Sequence, residues 1–566
     1  MSETAGTKTR GLFFFFLLAT SLFRIPDVWR PVDGTTWNSW REVDVAAIAR
    51  NFYREGMDIL RPRIDWRGDG PGFVESELPL YPWSVAAAYR GFGYREELAR
   101  VLSLALTLAA SAFFFLLARD VLPRAGQAGA LAFWVVNPLG VRMATSVQPE
   151  PLMAMALLGA IHFFRRWLSE GTGRSYGLAL AFSVLAVLAK LPAAYVGLLF
   201  AALVLERFGL RGLRRFDVWA FAGTTALASL AWYLHARGLF LVYGNSLGAS
   251  NEAYRLISLR GAMEGARWTI PGNLRNEVGG VWTVPGAVLG AAGLYLARRE
   301  ESGRFVAYWL GALAAFYAVA GRTTGQQWAL YYHVSSVPAA ALAVGLGSGA
   351  VAERLSQCEL GSLARRWVVS ATLAALAAAV FLGLAEHGLG RAGTVAAALA
   401  LGGAALLVLR SLAPAAGPEP AGPGRRRCLC GLVGCLLLGG TLALEGRRVL
   451  AEAHPRPFEE PYACARKFAE RVEAGALVAV SGGTPTIEGA QALDAPYYFF
   501  WMDRKGFSLS RHSAEDVEAF RARGARYLVL EREFLDRKPG FEEGVRGRYP
   551  LVAECRGNLL LRLAER

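Results

Sequence analysis

Long apolar runs alternate with short polar segments along most of this chain. Runs of roughly 17 to 25 apolar residues have the length of transmembrane helices, and about thirteen can be counted. They lie near 11–24, 98–118, 125–141, 151–165, 175–189, 192–206, 217–236, 281–297, 304–320, 334–352, 367–385, 393–410 and 428–445. The first run is short and follows Lys8 and Arg10, as in a cleavable signal peptide, but its polar flank and the lack of a convincing small-x-small cleavage site favour an uncleaved signal anchor. The pattern predicts a polytopic α-helical membrane protein.

Composition agrees with this prediction. The 566 residues are 54% hydrophobic and only 19% charged, which is too apolar for a set of soluble domains. The net charge of +15 comes largely from arginines in short clusters between apolar runs. Loops of membrane proteins on the cytoplasmic side collect such clusters. Because no basic stripe is interleaved with aromatic residues on a soluble domain, nucleic acid is not predicted as a partner.

The arginine clusters also predict an orientation. With the N-terminus in the cytoplasm, alternation of the spans places every internal cluster on the cytoplasmic side. These clusters are Arg119/Arg124, Arg165/Arg166, Arg207/Arg211/Arg214/Arg215, Arg298/Arg299, Arg365/Arg366 and Arg425/Arg426/Arg427. We therefore expect a transmembrane domain, 1–445, in the inner (cytoplasmic) membrane, with a first extracytoplasmic loop at 25–97 and an extracytoplasmic domain at 446–566.

The C-terminal part has a different pattern. A Pro/Gly-rich segment, 415–427, reads as a linker before the last span. Beyond that span, the strand-like runs ALVAVSG, YYFFW, RYLVLE and NLLLRL flank a helical pattern, AEDVEAFRARG. These runs predict a small α/β domain. It contains Cys464 and Cys555, which could pair in an oxidising compartment, although the sequence does not show whether their Cα atoms approach.

The first outer loop is dense in charge. Acids and arginines that are pulled toward a bilayer cost free energy, so their density here indicates a functional site. The alternative is a solvated loop that only links two spans. In WREVDVAAIARNF, Val45, Ile48 and Phe52 form one helical stripe that can lie on the membrane surface. Arg41 and Asp44 stand three residues apart on another stripe, where they can serve a cleft or form an ordinary ion pair.

Further candidate residues lie on the same side of the membrane. Arg142 and Glu150 are predicted at the ends of two helices, where an acid can also simply complement a helix dipole. Lys190 interrupts a span just before a proline, and its alternative is snorkelling to the headgroups. A later segment, GRTTGQQWALYYHVSSVP, contains Arg322, Tyr332 and His333, and a hydrogen-bonded interfacial role is favoured for the histidine.

Several of these motifs together resemble one family. The acidic helix with IARN, then ESELPLYPW, QPEPLM, LAKLP and YYH, look like the GT-C superfamily of membrane glycosyltransferases. The similarity covers about residues 10–350 and is greatest to the family-39 group, which includes protein O-mannosyltransferases and the lipid A aminoarabinose transferase. The resemblance implies a polyprenyl-phosphate-linked sugar as donor, transfer outside the cytoplasmic membrane, and an acid of the first outer loop as the catalytic group.

This chain departs from the family pattern at that acid. The usual Asp-Glu pair seven residues before IAR is replaced by Arg41-Glu42, while Asp44 occupies a position where the family often has arginine. Acid and arginine have exchanged places on one helical face. We predict Asp44 as the catalytic base, with Glu42 as the alternative.

The chemistry can also be argued from residue types. A phosphate is already a good leaving group, so one carboxylate is enough to take the proton of an acceptor hydroxyl during an inverting displacement. Cations would hold the phosphate, and Arg41, Lys190, Arg322 and Arg142 are the candidates. Glu150, Glu77 and Tyr332 are candidates for binding the acceptor or substrate. No cofactor is required; if a divalent metal binds, Glu75 or Glu77 with His333 is the expected pair. Membrane lipids are partners, and close helix packing around glycines can form a groove for the lipid tail.

Two other functions remain open at this stage. A transporter or lipid flippase would use the same charges during alternating access, but such proteins commonly contain internal repeats, and none is evident. A non-catalytic scaffold would use only its outer domain. Neither the sugar nor the acceptor can be named from the sequence.

Overall fold

The computed structural model describes residues 2–22, 24–32, 39–248, 270–356, 425–452, 459–481 and 496–563. Within these ranges, helices make up almost all of the first 452 residues. They are α1 (Ser2–Leu22), α2 (Ile25–Val28), α3 (Ser39–Glu55), α4 (Leu80–Phe92), α5 (Glu97–Val121), α6 (Arg124–Val136), α7 (Pro138–Ala144), α8 (Glu150–Glu170), α9 (Gly173–Ala189), α10 (Val196–Phe208), α11 (Phe216–Tyr243), α12 (Ile270–Trp282), α13 (Val284–Ala297), α14 (Glu301–Thr324), α15 (Val337–Ser356) and α16 (Arg425–Glu452).

The predicted number of spans is not confirmed. By length and apolarity, four helical segments of the described chain could cross a membrane, or five if the bent pair α12 and α13 is one span. Helices do occupy the other predicted spans up to residue 352 and the last one, but many are short or carry charges. The predicted spans at 367–385 and 393–410 fall outside the described residues.

Three breaks interrupt the long helices. A 3₁₀ turn, Leu191–Tyr195, separates α9 from α10, as expected where Lys190 precedes a leucine and a proline. Helices α12 and α13 meet at an angle of 92°. A second 3₁₀ segment, Gln327–Ser336, joins α14 to α15, where an outer loop was predicted. Each break exposes backbone groups that a continuous helix would pair.

Small residues allow the helices to pack closely. A side-chain Cβ at Gly293 in α13 would lie 2.2 Å from the backbone nitrogen of Gly347 in α15. Only glycine permits two backbones to approach in this way. The close packing expected from the glycine-rich sequence is therefore present between α13 and α15.

Charged residues cluster at one end of the helical bundle. Arg165 in α8 contacts Glu301 in α14 at 3.2 Å, and Arg304 in α14 contacts Glu206 in α10 at 2.5 Å. His162 of α8 lies 3.9 Å from Asp120, near the end of α5. Arg119, Arg165/Arg166, Arg207 and Arg298/Arg299 therefore belong to one end, which we call the arginine end.

Helix α3 differs from the amphipathic surface helix predicted for the first outer loop. Every residue from 41 to 52 is buried, so Val45, Ile48 and Phe52 do not form a membrane-facing stripe. The polar face is covered by the rest of the first loop and by the C-terminal domain. Helix α4, which follows Pro79, was not predicted. The described residues between 25 and 97 thus form a folded layer across one end of the bundle.

The C-terminal domain is a five-stranded mixed sheet with short helices, as the sequence predicted in outline. Its strands are β1 (Leu477–Ser481), β2 (Lys505–Leu509), β3 (Ala525–Leu530), β4 (Leu551–Cys555) and β5 (Asn558–Arg562), in the order β2-β1-β3-β5-β4. Strands β1, β2 and β3 are parallel, whereas β5 runs antiparallel to β3 and β4. The helices are α17 (Glu459–Ala469), α18 (Tyr497–Met502), α19 (Ala514–Ala522), α20 (Arg532–Asp536) and α21 (Pro539–Arg546).

One strand prediction in this domain is wrong. YYFFW forms the short helix α18, because Pro496 at its start favours a helical turn and its aromatic side chains are buried on all sides. A short apolar run gives no periodicity that separates a helix from a strand. Strands β2 and β4 were not predicted. Cys464 of α17 and Cys555 of β4 form a disulfide, with their Cα atoms 5.5 Å apart.

A buried polar network joins this domain to α3. Arg50 donates to the backbone oxygen of Phe500 at 2.8 Å and to Asp65 at 2.7 Å. Asn51 also donates to Asp65, at 2.9 Å, and Lys505 of β2 forms an ion pair with the same carboxylate. Burial acts to raise the pKa of Asp65, but the charges of Arg50 and Lys505 outweigh it and hold that pKa below its usual value. The IARN motif therefore docks the C-terminal domain.

Candidate active site

The candidate site lies at the end of the bundle opposite the arginine end, under the C-terminal domain. It is built where α3 begins, where α9 breaks and where α8 begins. These three positions carry Arg41, Lys190 and Glu150, all of them buried. Buried charges occur in proteins only when they are paired, so their partners define the site.

Arg41 forms an ion pair with Glu77 from the segment between α3 and α4. Burial acts to lower the pKa of Arg41, but the charge and hydrogen bond of Glu77, together with the nearby Tyr331 and Asp44, outweigh burial and raise that pKa. Burial acts to raise the pKa of Glu77, and the charges of Arg41 and Lys190 outweigh it and lower that pKa. Both side chains are therefore held in their charged forms.

Lys190 forms the second ion pair of the site. It follows the last residue of α9 and its ammonium group binds Glu150, the first residue of α8. The ammonium also lies 4.3 Å from the ring centre of Tyr331 and 5.0 Å from that of Tyr332. The aromatic faces stabilise this buried cation. The structure thus places the predicted residue Tyr332 next to Lys190.

Together these residues form the charged cluster, which we define as Arg41, Glu77, Lys190, Glu150, Tyr331 and Tyr332. The lysine charge acts on both Glu150 and Glu77, which links the two ion pairs. The structure therefore brings together residues predicted from four separate segments.

Glu42 lies beside this cluster and has different partners. One of its oxygens accepts the backbone N–H of Val147 at 3.0 Å, and the other lies 3.5 Å from Arg100 of α5. Arg100 also donates to the backbone oxygens of Arg30, Pro31 and Thr145. Glu42 therefore fixes α3 against α5 and the turn before α8.

Asp44 is 1% exposed and one of its oxygens accepts a hydrogen bond from the indole N–H of Trp66 at 2.9 Å. The donor is uncharged, unlike the guanidinium next to Glu42. Arg41, three residues earlier on α3, pairs with Glu77. The two acids of α3 are thus both buried, and Glu42 lies beside a cation from a transmembrane helix.

Two predicted phosphate ligands are placed differently. Arg142 is half-buried in the last turn of α7, before the turn that leads to Glu150. Arg322 is exposed in the last turn of α14, and its backbone oxygen accepts a hydrogen bond from Gln326. No contact recorded among the described residues joins Arg322 to the charged cluster.

The predicted metal pair is not brought together. His333 bonds Glu277 through Nδ1 at 2.6 Å and the backbone oxygen of Thr324 through Nε2 at 3.0 Å. Glu75 instead accepts a hydrogen bond from Ser246. Among the described residues, no group of three His, Cys, Asp or Glu side chains could hold a metal ion. His333 is therefore hydrogen-bonded through both ring nitrogens.

Several residues of this region could not be found from sequence. Trp66, Arg100 and Glu277 contact site residues that are 22, 58 and 56 positions away. Local periodicity carries no information on such pairs. Arg50 and Asn51, which were part of the predicted motif, bind the C-terminal domain instead of the charged cluster.

This arrangement can bind an anion and accept a proton. Two neighbouring cations, Arg41 and Lys190, each form an ion pair with a different carboxylate, and an aromatic ring covers the lysine. A phosphate could exchange for a carboxylate as the partner of either cation, because guanidinium and ammonium groups bind both anions. Asp44 supplies a carboxylate on the same helix as Arg41.

Comparison with known proteins gives a family match over part of the chain. Residues 72–234 match the family model of dolichyl-phosphate-mannose-protein mannosyltransferases. This segment contains Glu77, Glu150 and Lys190, whereas α3 lies before it. No curated protein sequence matches the chain.

Solved structures match almost the whole chain. ArnT from Cupriavidus metallidurans in the apo state has 14% sequence identity, with 99% of this chain and 98% of ArnT covered and a TM-score of 0.63. The same protein bound to undecaprenyl phosphate has 15% identity, 98% coverage of both chains and a TM-score of 0.61. The Archaeoglobus fulgidus oligosaccharyltransferase has 13% identity, covers 93% of this chain and 70% of its own, and has a TM-score of 0.50.

The family resemblance predicted from the sequence is confirmed. The chain has the fold of the GT-C glycosyltransferase superfamily, and its residues 72–234 match the protein mannosyltransferase model of that superfamily.

Proposed function

We propose that this protein is a membrane glycosyltransferase that moves a sugar from a polyprenyl-phosphate donor to an acceptor hydroxyl on the outer face of the cytoplasmic membrane. The acceptor is a lipid, a glycan or a protein. The observation that carries the proposal is the buried charged cluster, which places Arg41 and Lys190 together. The shared fold with ArnT, a protein whose structure is known with undecaprenyl phosphate, supports a lipid phosphate as the ligand.

The reaction needs one base and a site for the leaving phosphate. Asp44 takes the proton of the acceptor hydroxyl as its oxygen attacks the anomeric carbon of the sugar. The bond from that carbon to the phosphate oxygen breaks, and the polyprenyl phosphate leaves with the bonding electrons. Arg41 and Lys190 stabilise the charge that develops on this oxygen, so no acid is needed to protonate it. Attack from the opposite face inverts the anomeric centre.

The two cations reach the phosphate by exchange of partners. In the structure Arg41 is bound to Glu77 and Lys190 to Glu150. Both cations are therefore held in place without leaving a buried charge unpaired. Arg142 stands near the turn before Glu150 and is proposed as an additional ligand. Glu77, Glu150 and Tyr332 would then be free to orient the acceptor or the sugar.

The orientation in the membrane is part of the proposal. The arginine end faces the cytoplasm, as the charge rule predicts. The charged cluster, the segment 25–97 and the domain 446–566 then face outside. The Cys464–Cys555 disulfide supports an oxidising environment for that domain.

The direct test uses purified protein in lipid nanodiscs with undecaprenyl phosphates that carry pentoses or hexoses. Mass spectrometry should detect release of undecaprenyl phosphate and a glycosylated acceptor from an envelope extract. Transport of the donor across vesicle membranes without release would instead indicate a flippase. Comparison of envelope glycans from cells with and without the protein identifies the sugar and acceptor.

Variants of the cations provide the matched control. Arg41→Gln and Lys190→Met should each weaken donor binding by about 10- to 100-fold, because a charge-assisted contact contributes about 1.5–3 kcal/mol. Arg546→Gln removes an exposed arginine that forms ion pairs with Glu542 and Glu554 of the C-terminal domain, and it should leave donor binding unchanged. Equal donor affinity in all three variants would remove both cations from the site.

A further inference from the structure

The side chain of Gln148 is fully buried at 0% exposure, yet neither atom of its amide has a hydrogen-bond partner in the described part of the protein. Buried polar groups in folded proteins are almost always hydrogen-bonded. An amide that gives up water without a replacement partner destabilises the fold. A residue of this kind requires an explanation, and an absent ligand is a common one.

The position of Gln148 connects it to the candidate active site. The preceding residue, Val147, donates its backbone N–H to Glu42. Two residues further on, Glu150 begins α8 and binds Lys190. The turn is held between two partners on separate elements, and Pro149 and Pro151 restrict its backbone further. Gln148 therefore lies in a rigid turn between the two acids.

A second buried atom in the same turn has the same property. Oε1 of Glu150 contacts Lys190, but Oε2 is buried and has no hydrogen-bond partner among the described residues. The turn from 147 to 150 thus contains an amide donor group, an amide acceptor and a carboxylate acceptor. Each of them is buried and has no hydrogen-bond partner among the described residues. Three such groups within three residues mark a polar subsite.

The chemistry of these groups selects the ligand. The phosphodiester of a sugar donor has only acceptor oxygens, so it binds the cations and cannot donate to Oε2 of Glu150. A polyprenyl chain has no polar atoms. A hydroxyl group both donates and accepts, so neighbouring hydroxyls of a sugar ring can donate to Glu150 Oε2 and to the amide oxygen of Gln148, and can accept from its NH₂ group.

We propose that Gln148 and Glu150 Oε2 form a subsite for the hydroxyl groups of a sugar ring. This inference rests on the proposed function and assigns the sugar to the turn before α8, apart from the cations that bind the phosphate. Gln148 is a specificity-determining residue in this arrangement. A site built to hydrogen-bond hydroxyls rejects analogues that lack them, because its polar groups are then left unpaired.

The test is Gln148→Leu, which has nearly the same size and removes both open amide atoms. Binding is measured in nanodiscs to undecaprenyl phosphate alone and to undecaprenyl phosphates carrying pentoses or hexoses. We expect the variant to bind the preferred sugar donor about 10- to 100-fold more weakly, while its affinity for bare undecaprenyl phosphate is unchanged. The ligand-free variant should also melt at a temperature at least as high as the wild type, because it loses an unsatisfied polar group.

Gln127→Leu is the matched control. The amide of Gln127 donates to the backbone oxygen of Leu122 at 2.9 Å, so it has a structural bond. This control should lower the melting temperature and leave the preference for sugar donors unchanged. A lower melting temperature for Gln148→Leu with an unchanged donor preference would show that Gln148 is structural and overturn the proposal.

The remaining outcomes distinguish a sugar of the donor from a sugar of the acceptor. They also distinguish failure of the subsite from failure of the proposed function. Normal donor binding with a KM for the acceptor raised at least 10-fold would assign the subsite to a sugar of the acceptor. The subsite alone is overturned by two results together. The wild type would bind bare undecaprenyl phosphate as tightly as every sugar donor, and Gln148→Leu would leave the KM for the acceptor unchanged. A wild type that binds no polyprenyl phosphate at all overturns the proposed function itself.

Discussion

At the scale of single residues, the partners of Glu42 and Asp44 separate two carboxylates that sequence alone could not distinguish. Both oxygens of Glu42 have partners, the backbone N–H of Val147 and the guanidinium of Arg100, which lies on another helix. Removing its charge would leave Arg100 buried without its acid. Asp44 accepts from the indole of Trp66. The contacts of Glu42 fit a positioning role, and we propose Asp44 as the base.

Asp44→Asn should therefore keep the fold and the donor affinity, because an amide oxygen can still accept from Trp66. Transfer should fall by about 10²–10⁴-fold, the range for loss of a general base. Glu42→Gln keeps the acceptor for Val147 but loses the charge facing Arg100, so it should lower the melting temperature more than it lowers transfer. Single-turnover transfer rates and thermal melts decide between them. Loss of transfer in Glu42→Gln with an active Asp44→Asn would reverse the assignment.

A second titratable residue lies in the C-terminal domain. Glu531 follows β3, and burial raises its pKa to about 8, with a further contribution from Glu533. A carboxyl whose pKa is higher in the folded state stabilises that state fully below its unfolded pKa, and this contribution is lost as the pH rises through about 8. Glu531→Gln should melt close to the wild type at pH 5 and above it at pH 9. A melting difference that does not change between these pH values would contradict the assignment.

The sequence identified the charged residues of the site more readily than their contacts. Lys190 and Glu150 stood out because charges are rare beside apolar spans, and that signal is local. Their pairing joins residues 40 positions apart, and the pair of Arg41 and Glu77 spans 36. Pairing of this kind depends on how helices pack, which periodicity does not report. For the same reason the sequence did not show what IARN contacts, because Arg50 docks a domain 450 positions away.

At the scale of elements, the breaks in the helices position the site. Lys190 reaches Glu150 because α9 ends at Ala189 and the following 3₁₀ turn changes the direction of the chain. The 3₁₀ segment before α15 brings Tyr331 and Tyr332 over the lysine. Proline marked the first break in the sequence, whereas the second carries no breaker before Pro338 and was predicted only as an outer loop. Apolar runs predicted the helices well, but not where they are interrupted.

Strand β2 shows how one element can depend on a single glycine. Gly506 has φ +154°, and a Cβ there would lie 1.9 Å from the backbone oxygen of Val478 in β1. Its N–H donates to the backbone oxygen of Asp65 and its carbonyl accepts the N–H of Gly68, so it also carries the docking of the first loop. A side chain at this position would separate β2 from β1 or from the loop.

Gly506→Ala should therefore destabilise the protein by about 3 kcal/mol or more, in the range of severe backbone clashes. Gly544→Ala is the control, because Gly544 lies inside α21 with open space around its Cβ position. That variant should be stabilised by about 0.5–1 kcal/mol, as expected for alanine within a helix. Denaturant unfolding followed by tryptophan fluorescence measures both. Similar stabilities for the two variants would show that β2 does not pack as described.

At the scale of the whole molecule, the two ends of the bundle differ in how they use charge. The arginine end carries exposed or half-exposed pairs such as Arg304 with Glu206, which contribute little to stability. The opposite end buries its charges in the site and in the docking network beneath the C-terminal domain. The sequence predicted this asymmetry from the arginine clusters. It could not predict that the outer domain would cover α3, because that contact depends on Asp65 and Lys505 meeting across 440 positions.

This asymmetry makes the membrane orientation testable with two cysteines. Arg546→Cys lies in α21, and Arg211→Cys lies in the 3₁₀ turn between α10 and α11; both positions are exposed. Cys358, Cys428, Cys430 and Cys435 are replaced by serine, and the Cys464–Cys555 disulfide is left intact because it does not react with maleimides. In sealed right-side-out vesicles, an impermeant maleimide should label position 546 at once and position 211 only after the membrane is opened. Labelling of 211 but not 546 before opening would place the charged cluster in the cytoplasm, where an extracytoplasmic sugar transfer could not occur.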